Sequence, residues 1–219
     1  MIPALHGRAI ALTSIFAKLY ERILLARLTT WLRSSRLWLL PQFGFRSGCS
    51  TLHAVFLLRT LVLDVLRVTK MPVHVAYVDL KKAFPSVDRD SLFRRLLDLG
   101  VPIGLVSAIQ SFYVINSAKL RVDNNLSTAF IIALGVLEGS VLSPCLFATL
   151  FTTIWDLFSI TDFPSIGARV FSLDNLWFIA FADDLVIVTL SKEKLEAVLN
   201  RLHLELSKLN LNIRLLLFL

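Results

Sequence analysis

The stretch FIAFADDLVIVT, Phe178 to Thr189, sets two adjacent carboxylates, Asp183 and Asp184, among ten largely apolar residues. The β-branched and aromatic residues on either side of Ala182-Asp183-Asp184 predict two short buried strands joined by a tight turn. Asp is at home in turns, because its side chain bonds nearby backbone N–H groups and tolerates unusual φ. The flanks ask for more than that. Both strands are apolar on both faces, so the turn is not expected to be a wet surface tip, and uncompensated buried charge is costly. No Lys or Arg lies between Arg169 and Lys192. A divalent cation is therefore the natural counter-charge.

Asp79 sharpens this reading, because it closes another β-rich run, VAYVD, 104 positions before Asp183. Two strand ends from separate segments can converge to hold a pair of Mg²⁺ ions roughly 3.5 to 4 Å apart, the spacing used in in-line phosphoryl displacement. Side chains alternate along a strand, so Asp183 and Asp184 should not point the same way, and one should ligate more directly than the other.

Around these acids the 219 residues suffice for one sizeable core or two small packed domains. Hydrophobic residues make up 56% of the chain and the mean hydropathy is +0.71, which makes a membrane protein worth testing. The two longest uncharged windows, 99–118 and 139–155, are interrupted by Pro102, Gly104, Gln110 and Asn116 in the first and by Ser-Pro in the second. Neither is a clean apolar span. No secretory leader pattern opens the chain. Cys49 and Cys145 stand far apart without ligand spacing, which fits buried thiols in a reducing, intracellular compartment, nucleus or cytoplasm. The net charge of +7 is uneven: residues 1–70 hold ten Lys and Arg against two acids, and the remainder thirteen against fourteen. A basic part that grips a polyanion joined to an acidic part that holds cations is one reading, and a solvated basic face the other.

Periodicity orders the rest. Ser14 caps a helix in which Ile15, Leu19, Ile23 and Ala26 recur at helical spacing, and Ser50 and Thr51 open a second helix to about Arg67. VHVAYVDL reads as strand. Asp90 and Ser91 start a helix punctuated by Gly100 and Pro102, and another covers 105–116. Lys119 to Val122 and Thr128 to Ile132 form a hairpin, Ser143-Pro144 caps a helix to about Phe158, and Ser191 caps one whose Leu195, Leu199, Leu202, Leu206 and Leu209 share a face. Mixed elements in this order indicate an α+β or α/β domain with a helical N-terminal part.

DLKKAF at Asp79 to Phe84, GVLEGSVLSPCLF at Gly135 to Phe147 and FADD at Phe181 to Asp184 resemble three successive palm motifs of reverse transcriptases, in the family's order. RAIAL at Arg8 to Leu12, KLYERIL at Lys18 to Leu24 and QFGFRSGCST at Gln42 to Thr51 resemble fingers motifs of its non-LTR (LINE-type) retrotransposon branch. A lone FADD is a weak signal; six blocks in order are a strong one. The resemblance implies a right-hand polymerase palm with an antiparallel sheet and packed helices. Partial helical fingers would cover residues 1–70, the palm 71–219 with a fingers-like insertion near 100–132, and the thumb is absent.

It also implies roles. Asp79 and Asp183 would be the main metal ligands, Asp184 the supporting acid and the Leu80 carbonyl a further ligand, for two Mg²⁺ ions with Mn²⁺ as substitute. Phe84 matches the steric gate against a ribonucleotide 2′-OH, although core packing explains a lone Phe equally well. Arg8 matches an arginine that reaches the incoming triphosphate. Glu138, Gly139 and Ser140 would line the nucleotide site, with the glycine allowing close backbone approach. Gln42, Phe45 and Arg46 would lie near the template. The implied activity is RNA-directed DNA synthesis from dNTPs on an RNA template and a DNA primer.

The departures are Leu137-Glu138-Gly139 where the family has Pro-Gln-Gly, Pro85 where it commonly has an aspartate, and Ala9 after Arg8 where it has Pro. LNLNIRLLLFL begins like the fourth palm motif but reaches Arg214 where a lysine is usual. The chain thus reads as truncated at both ends. A catalytically inactive retrotransposon remnant, retaining the fold and weak nucleic-acid binding, is the alternative.

Overall fold

The computed structural model describes residues 10–35, 42–114, 117–122, 125–159 and 178–218. Its centre is a four-stranded antiparallel sheet built from β1 (His74–Lys81), β6 (Phe178–Phe181), β7 (Asp184–Thr189) and β8 (Asn212–Phe218), in the order β6-β7-β1-β8. Two long helices, α6 (Ser143–Ser159) and α7 (Lys192–Lys208), alternate with the strands to give β-α-β-β-α-β, the split βαβ arrangement.

Pleating divides β1 between two layers. Ala76, Val78 and Leu80 are buried with Leu146, Phe147, Leu150, Leu199, Leu202 and Leu206 of the helical layer. Each Val, Leu and Phe side chain among them contributes about 1.5–3 kcal/mol when fully buried. Val75, Tyr77 and Asp79 alternate onto the opposite face. There α2 (Thr51–Thr69) lays Leu61 and Val65 against Val188, flanked by Val75 and Val186. This explains why β7 is apolar on both faces.

α1 (Ile15–Ser34) is capped by Ser14, whose hydroxyl accepts from Ala17 N at 3.1 Å. The expected face is corrected. Ile15, Leu19 and Ile23 are exposed, Leu19 at 59%, whereas Leu24, Leu28 and Leu32 enter the main core together with Glu21. The helix is apolar on more than one side, so spacing alone did not select the stripe that meets the core.

After β1 the chain makes a short turn, α3 (Ala83–Ser86), and then α4 (Arg89–Asp98) and α5 (Ile103–Val114). The cap of α4 is Asp88, two residues before the expected Asp90: its carboxylate accepts from Ser91 N at 2.9 Å. β1 runs two residues past Asp79 rather than ending there. The expected hairpin is present with shifted pairing. β2 (Ser117–Ala118) pairs with β5 (Phe130–Ile131), and β3 (Arg121–Val122) with β4 (Asn125–Leu126), so its second arm starts at Asn125. At α6 the first helical hydrogen bond is accepted by the Leu142 carbonyl, so Ser143 lies inside the first turn and is not the cap. α7 follows the sequence reading, with Ser191 Oγ accepting from Lys194 N. Among the described residues no helix is long and apolar enough to cross a membrane.

Candidate active site

Register brings the acids together. In the β1–β7 ladder Asp79 is the direct partner of Asp184, and Asp184 is in turn the partner of Phe181 across the β6–β7 hairpin. Directly opposed residues of an antiparallel pair project to the same face. The two carboxylates therefore share the face that α2 covers only farther along the strands. Asp183 sits in the two-residue turn with Ala182, between β6 and β7. Register thus sets Asp184, not Asp183, opposite Asp79. On the other side of β1, Arg214 of β8 is the partner of Asp79. Leu80 is buried, its side chain on the core side of β1.

Asp79 and Asp184, but not Asp183, line a cavity of about 900 Å³ between α2 and the sheet. Thr51, Ala54, Val55 and Leu58 form one wall, and Val75, Tyr77 and Val186 the other. A negatively charged end on an otherwise apolar slot has the donor chemistry for a hard divalent cation, with carboxylate and main-chain oxygens and neither thiol nor imidazole in the lining. No three His, Cys, Asp or Glu side chains among the described residues form a ready metal cluster. What the fold presents is the Asp79–Asp184 pair with Asp183 in the adjoining turn.

Of the expected nucleotide residues, Phe84 and Glu138 to Ser140 are described, and none of them lines this cavity. Phe84, on α3, stacks on Phe147 of α6 with centroids 5.1 Å apart, and its other side meets the edge of Phe45 at 6.0 Å. It is half-buried, packed against these rings and open to solvent in part. Pro85 lies in the first turn of α3, where its missing N–H would have no helical acceptor. Gly135, at φ +80°, has backbone contact with Pro85; a Cβ there would lie 2.6 Å from the Pro85 Cα.

The loop of Glu138, Gly139 and Ser140 is built by contacts within the chain. Glu138 O accepts from Ala11 N at 2.7 Å, and Gly139, at φ +98°, lies so close that a Cβ would stand 3.0 Å from Ala11 O. The close approach required of this glycine is thus made by the segment just after Arg8. Arg8 itself lies outside the described residues. Ser140 is buried, and its Oγ accepts from Leu142 N and Ser143 N at 3.2 and 3.3 Å, supplying the cap expected of Ser143.

Sequence reasoning missed two residues here. Glu21 of α1 is 0% exposed and accepts from Val141 N through Oε2 at 2.9 Å, while its Oε1 has no hydrogen-bond partner among the described residues. Burial pushes the nearby Tyr113 phenol up; the Ser143 hydroxyl draws it back and the Glu21 charge adds to the rise. Arg89 donates to the carbonyls of Gly135 and Ile132, both at 2.8 Å, and lies 5.0 Å from the Tyr113 ring centroid. Desolvation lowers its pKa. An acid in KLYERIL and an arginine after Asp88 carry no local signal that they organise a loop about 46 to 120 residues away.

The expected template residues divide. Phe45 is exposed, at φ +59°. Arg46 is half-buried, its carbonyl accepting from Cys49 N. Gln42 is only 6% exposed and spends its amide on the chain itself: Oε1 accepts from Gly44 N and Ala182 N at 2.8 and 3.0 Å, and Nε2 donates to Ala182 O at 3.1 Å.

Facing carboxylates on a β-α-β-β-α-β sheet, with helices behind it and α2 in front, define a polymerase palm with part of its fingers. The same fold is found in telomerase from Candida tropicalis, which superposes over 92% of this chain and 36% of that one with a TM-score of 0.61 at 14% identity. This chain belongs to the reverse transcriptase family: the family model described as reverse transcriptase (RNA-dependent DNA polymerase) matches residues 6–215. It is 31% identical over 197 residues, 89% of its length, to the retrovirus-related Pol polyprotein of the type-2 retrotransposable element R2DM of Drosophila melanogaster. It is 31% identical over 141 residues to the probable RNA-directed DNA polymerase from transposon BS, and 28% identical over 192 residues to that from mobile element jockey, both of the same organism. The chain spans 17%, 15% and 20% of these three relatives. They are proteins of non-LTR elements, and the chain is a reverse transcriptase domain of that type.

Proposed function

We propose that this chain carries the nucleotidyl-transfer centre of an RNA-directed DNA polymerase, which adds dNTPs to the 3′-OH of a DNA primer on an RNA template. The observation that carries this reading is the register that faces Asp79 with Asp184 beside the Asp183 turn. Asp79, Asp183 and Asp184 would hold two Mg²⁺ ions, with the Leu80 carbonyl as a further donor and Mn²⁺ as substitute. When bound, the metals lower the pKa of the attacking hydroxyl and stabilise the leaving oxygen.

The remaining roles fall to this chain's own groups. Phe84, held by Phe147 and Phe45, restricts the sugar pocket by its edge. The Glu138–Ser140 loop supports the base and sugar of the incoming nucleotide, and Arg8 reaches its triphosphate. Phe45 offers an aromatic face and Arg46 a charge to the template backbone. In this reading residues 1–70 act as fingers and 71–219 as palm, with 100–132 as the insertion.

The test is primer extension by the purified chain on an RNA template with Mg²⁺, lost in Asp183→Ala. Absence of incorporation with both Mg²⁺ and Mn²⁺ overturns the reading for this chain.

A further inference from the structure

We infer that Gln42 is a positioning residue of the catalytic turn and makes no template contact; the inference rests on the polymerase reading above. Its carboxamide offers one donor and one acceptor to the same residue, Ala182, through Nε2 to the carbonyl at 3.1 Å and Oε1 from the N–H at 3.0 Å. A third hydrogen bond, Gly44 N to Oε1 at 2.8 Å, fixes the rotamer from the other side. With 6% exposure and three of its hydrogen-bonding positions filled from within, the side chain has little left for an outside ligand.

The backbone around it serves the same end. Gln42 bridges Ala180 in parallel, and Phe43 N donates to Ala180 O at 2.8 Å, so this segment is pinned to the outer side of β6 by one isolated bridge. Gly44 lies against Ala182 so closely that a Cβ would overlap the Ala182 backbone nitrogen.

The held residue explains the clamp. Ala182 adopts φ +58°, a conformation that residues other than glycine rarely hold without support. It directly precedes Asp183, and its backbone angles set the direction in which the chain turns into β7. Asp184 meets Asp79 only if that turn is made. Asn at position 42 would fall short of Ala182, and Glu would lose the donor and add a charge beside Asp183. Gln has both the length and the two functions.

The experiment compares the full chain with Gln42→Met, which keeps volume but no hydrogen bonds, and Gln42→Glu, which keeps the acceptor alone. Three quantities are measured: primer-extension kinetics with Mg²⁺, RNA-template affinity, and amide hydrogen exchange across residues 180–185. Expected for Gln42→Met are a kcat lower by about 10- to 100-fold, as for loss of groups that orient metal ligands, unchanged RNA affinity, and faster exchange confined to the turn. Gln42→Glu should fall between it and the native chain in exchange. Weakened RNA binding with unaltered turn exchange overturns the inference, as does a lowered kcat without faster exchange. If the native chain extends no primer, the polymerase reading fails by itself, and the exchange comparison still decides whether Gln42 holds the turn.

Discussion

Asp184 stands directly across the β1–β7 ladder from Asp79, so two negative charges oppose each other on one sheet face. Opposed like charges in an antiparallel pair are destabilising by about 0.2–1 kcal/mol. The divalent-cation site proposed above would turn this repulsion into a shared ligand pair. Asp79→Asn relieves that repulsion but also gives up the attraction of Arg214, its partner on β8, so the unfolding free energy in EDTA should change by less than about 1 kcal/mol, while Mg²⁺-dependent extension is lost. Denaturant titrations with and without Mg²⁺ check both halves: the native chain gains stability from the metal and the variant does not.

Phe84 is held between Phe147 and Phe45, which separates its two roles experimentally. Phe84→Ala should destabilise the fold by about 2–3 kcal/mol, below the 3–5 typical of a fully buried ring because Phe84 is half-buried. Phe84→Val retains part of the contact with Phe147 and would open the sugar pocket that the proposed function places at this ring. Ribonucleotide incorporation relative to dNTP incorporation should rise about tenfold or more, the scale set by a few missing carbons in a specificity pocket. Unchanged discrimination in Phe84→Val would leave packing as the ring's sole role.

The parts of this molecule legible in its sequence are those written in local pattern. β1, the β6–β7 hairpin and the Ser14, Ser50 and Ser191 caps follow from alternation, apolar runs and cap chemistry. The face of α1 did not follow, because Ile15, Leu19 and Ile23 compete with Leu24, Leu28 and Leu32 and only the tertiary partner chooses between them. The acids stand out because carboxylates set in apolar strands imply costly burial, but the fold corrects that premise: Asp184 is exposed and Asp79 and Asp183 are half-buried, because the turn ends the hairpin at the open end of the sheet. Which of Asp183 and Asp184 faces Asp79 depends on register and turn length, which a sequence leaves open. Gln42 and Glu21 belong to a third kind, side chains that bond backbone groups 140 and 120 residues away. Their chemistry is visible in sequence, but their partners are not.

Glu21 gives a prediction of its own. Its Oε2 takes the Val141 N–H at the entry to α6, and Oε1 is buried without a partner among the described residues. Glu21→Ala leaves that N–H unsatisfied and should cost about 1–3 kcal/mol. Glu21→Gln keeps an acceptor oxygen while removing a buried charge, so it should be neutral or stabilising. Urea unfolding of the pair checks this. Equal losses in both variants would show that the charge itself is required.

The cap of α4 predicts how stability responds to acid. Hydrogen bonding to Ser91 holds the Asp88 carboxyl below its ordinary value of 3.8, against the opposing effect of burial. A carboxyl lowered on folding contributes its stability fully above the unfolded value and loses it as pH falls through the folded one. Asp88→Ala should cost about 1 kcal/mol at pH 7, the usual worth of an N-cap side chain. That deficit should shrink below 3.8 as the native carboxyl takes up its proton. Asp88→Asn retains a capping oxygen without titrating, so its stability curve should run close to that of the native chain at neutral pH and fall less steeply in acid. Thermal unfolding of the three proteins from pH 7 to pH 3 measures the difference. Parallel acid limbs in the native chain and Asp88→Asn would assign the acid sensitivity to carboxylates other than Asp88.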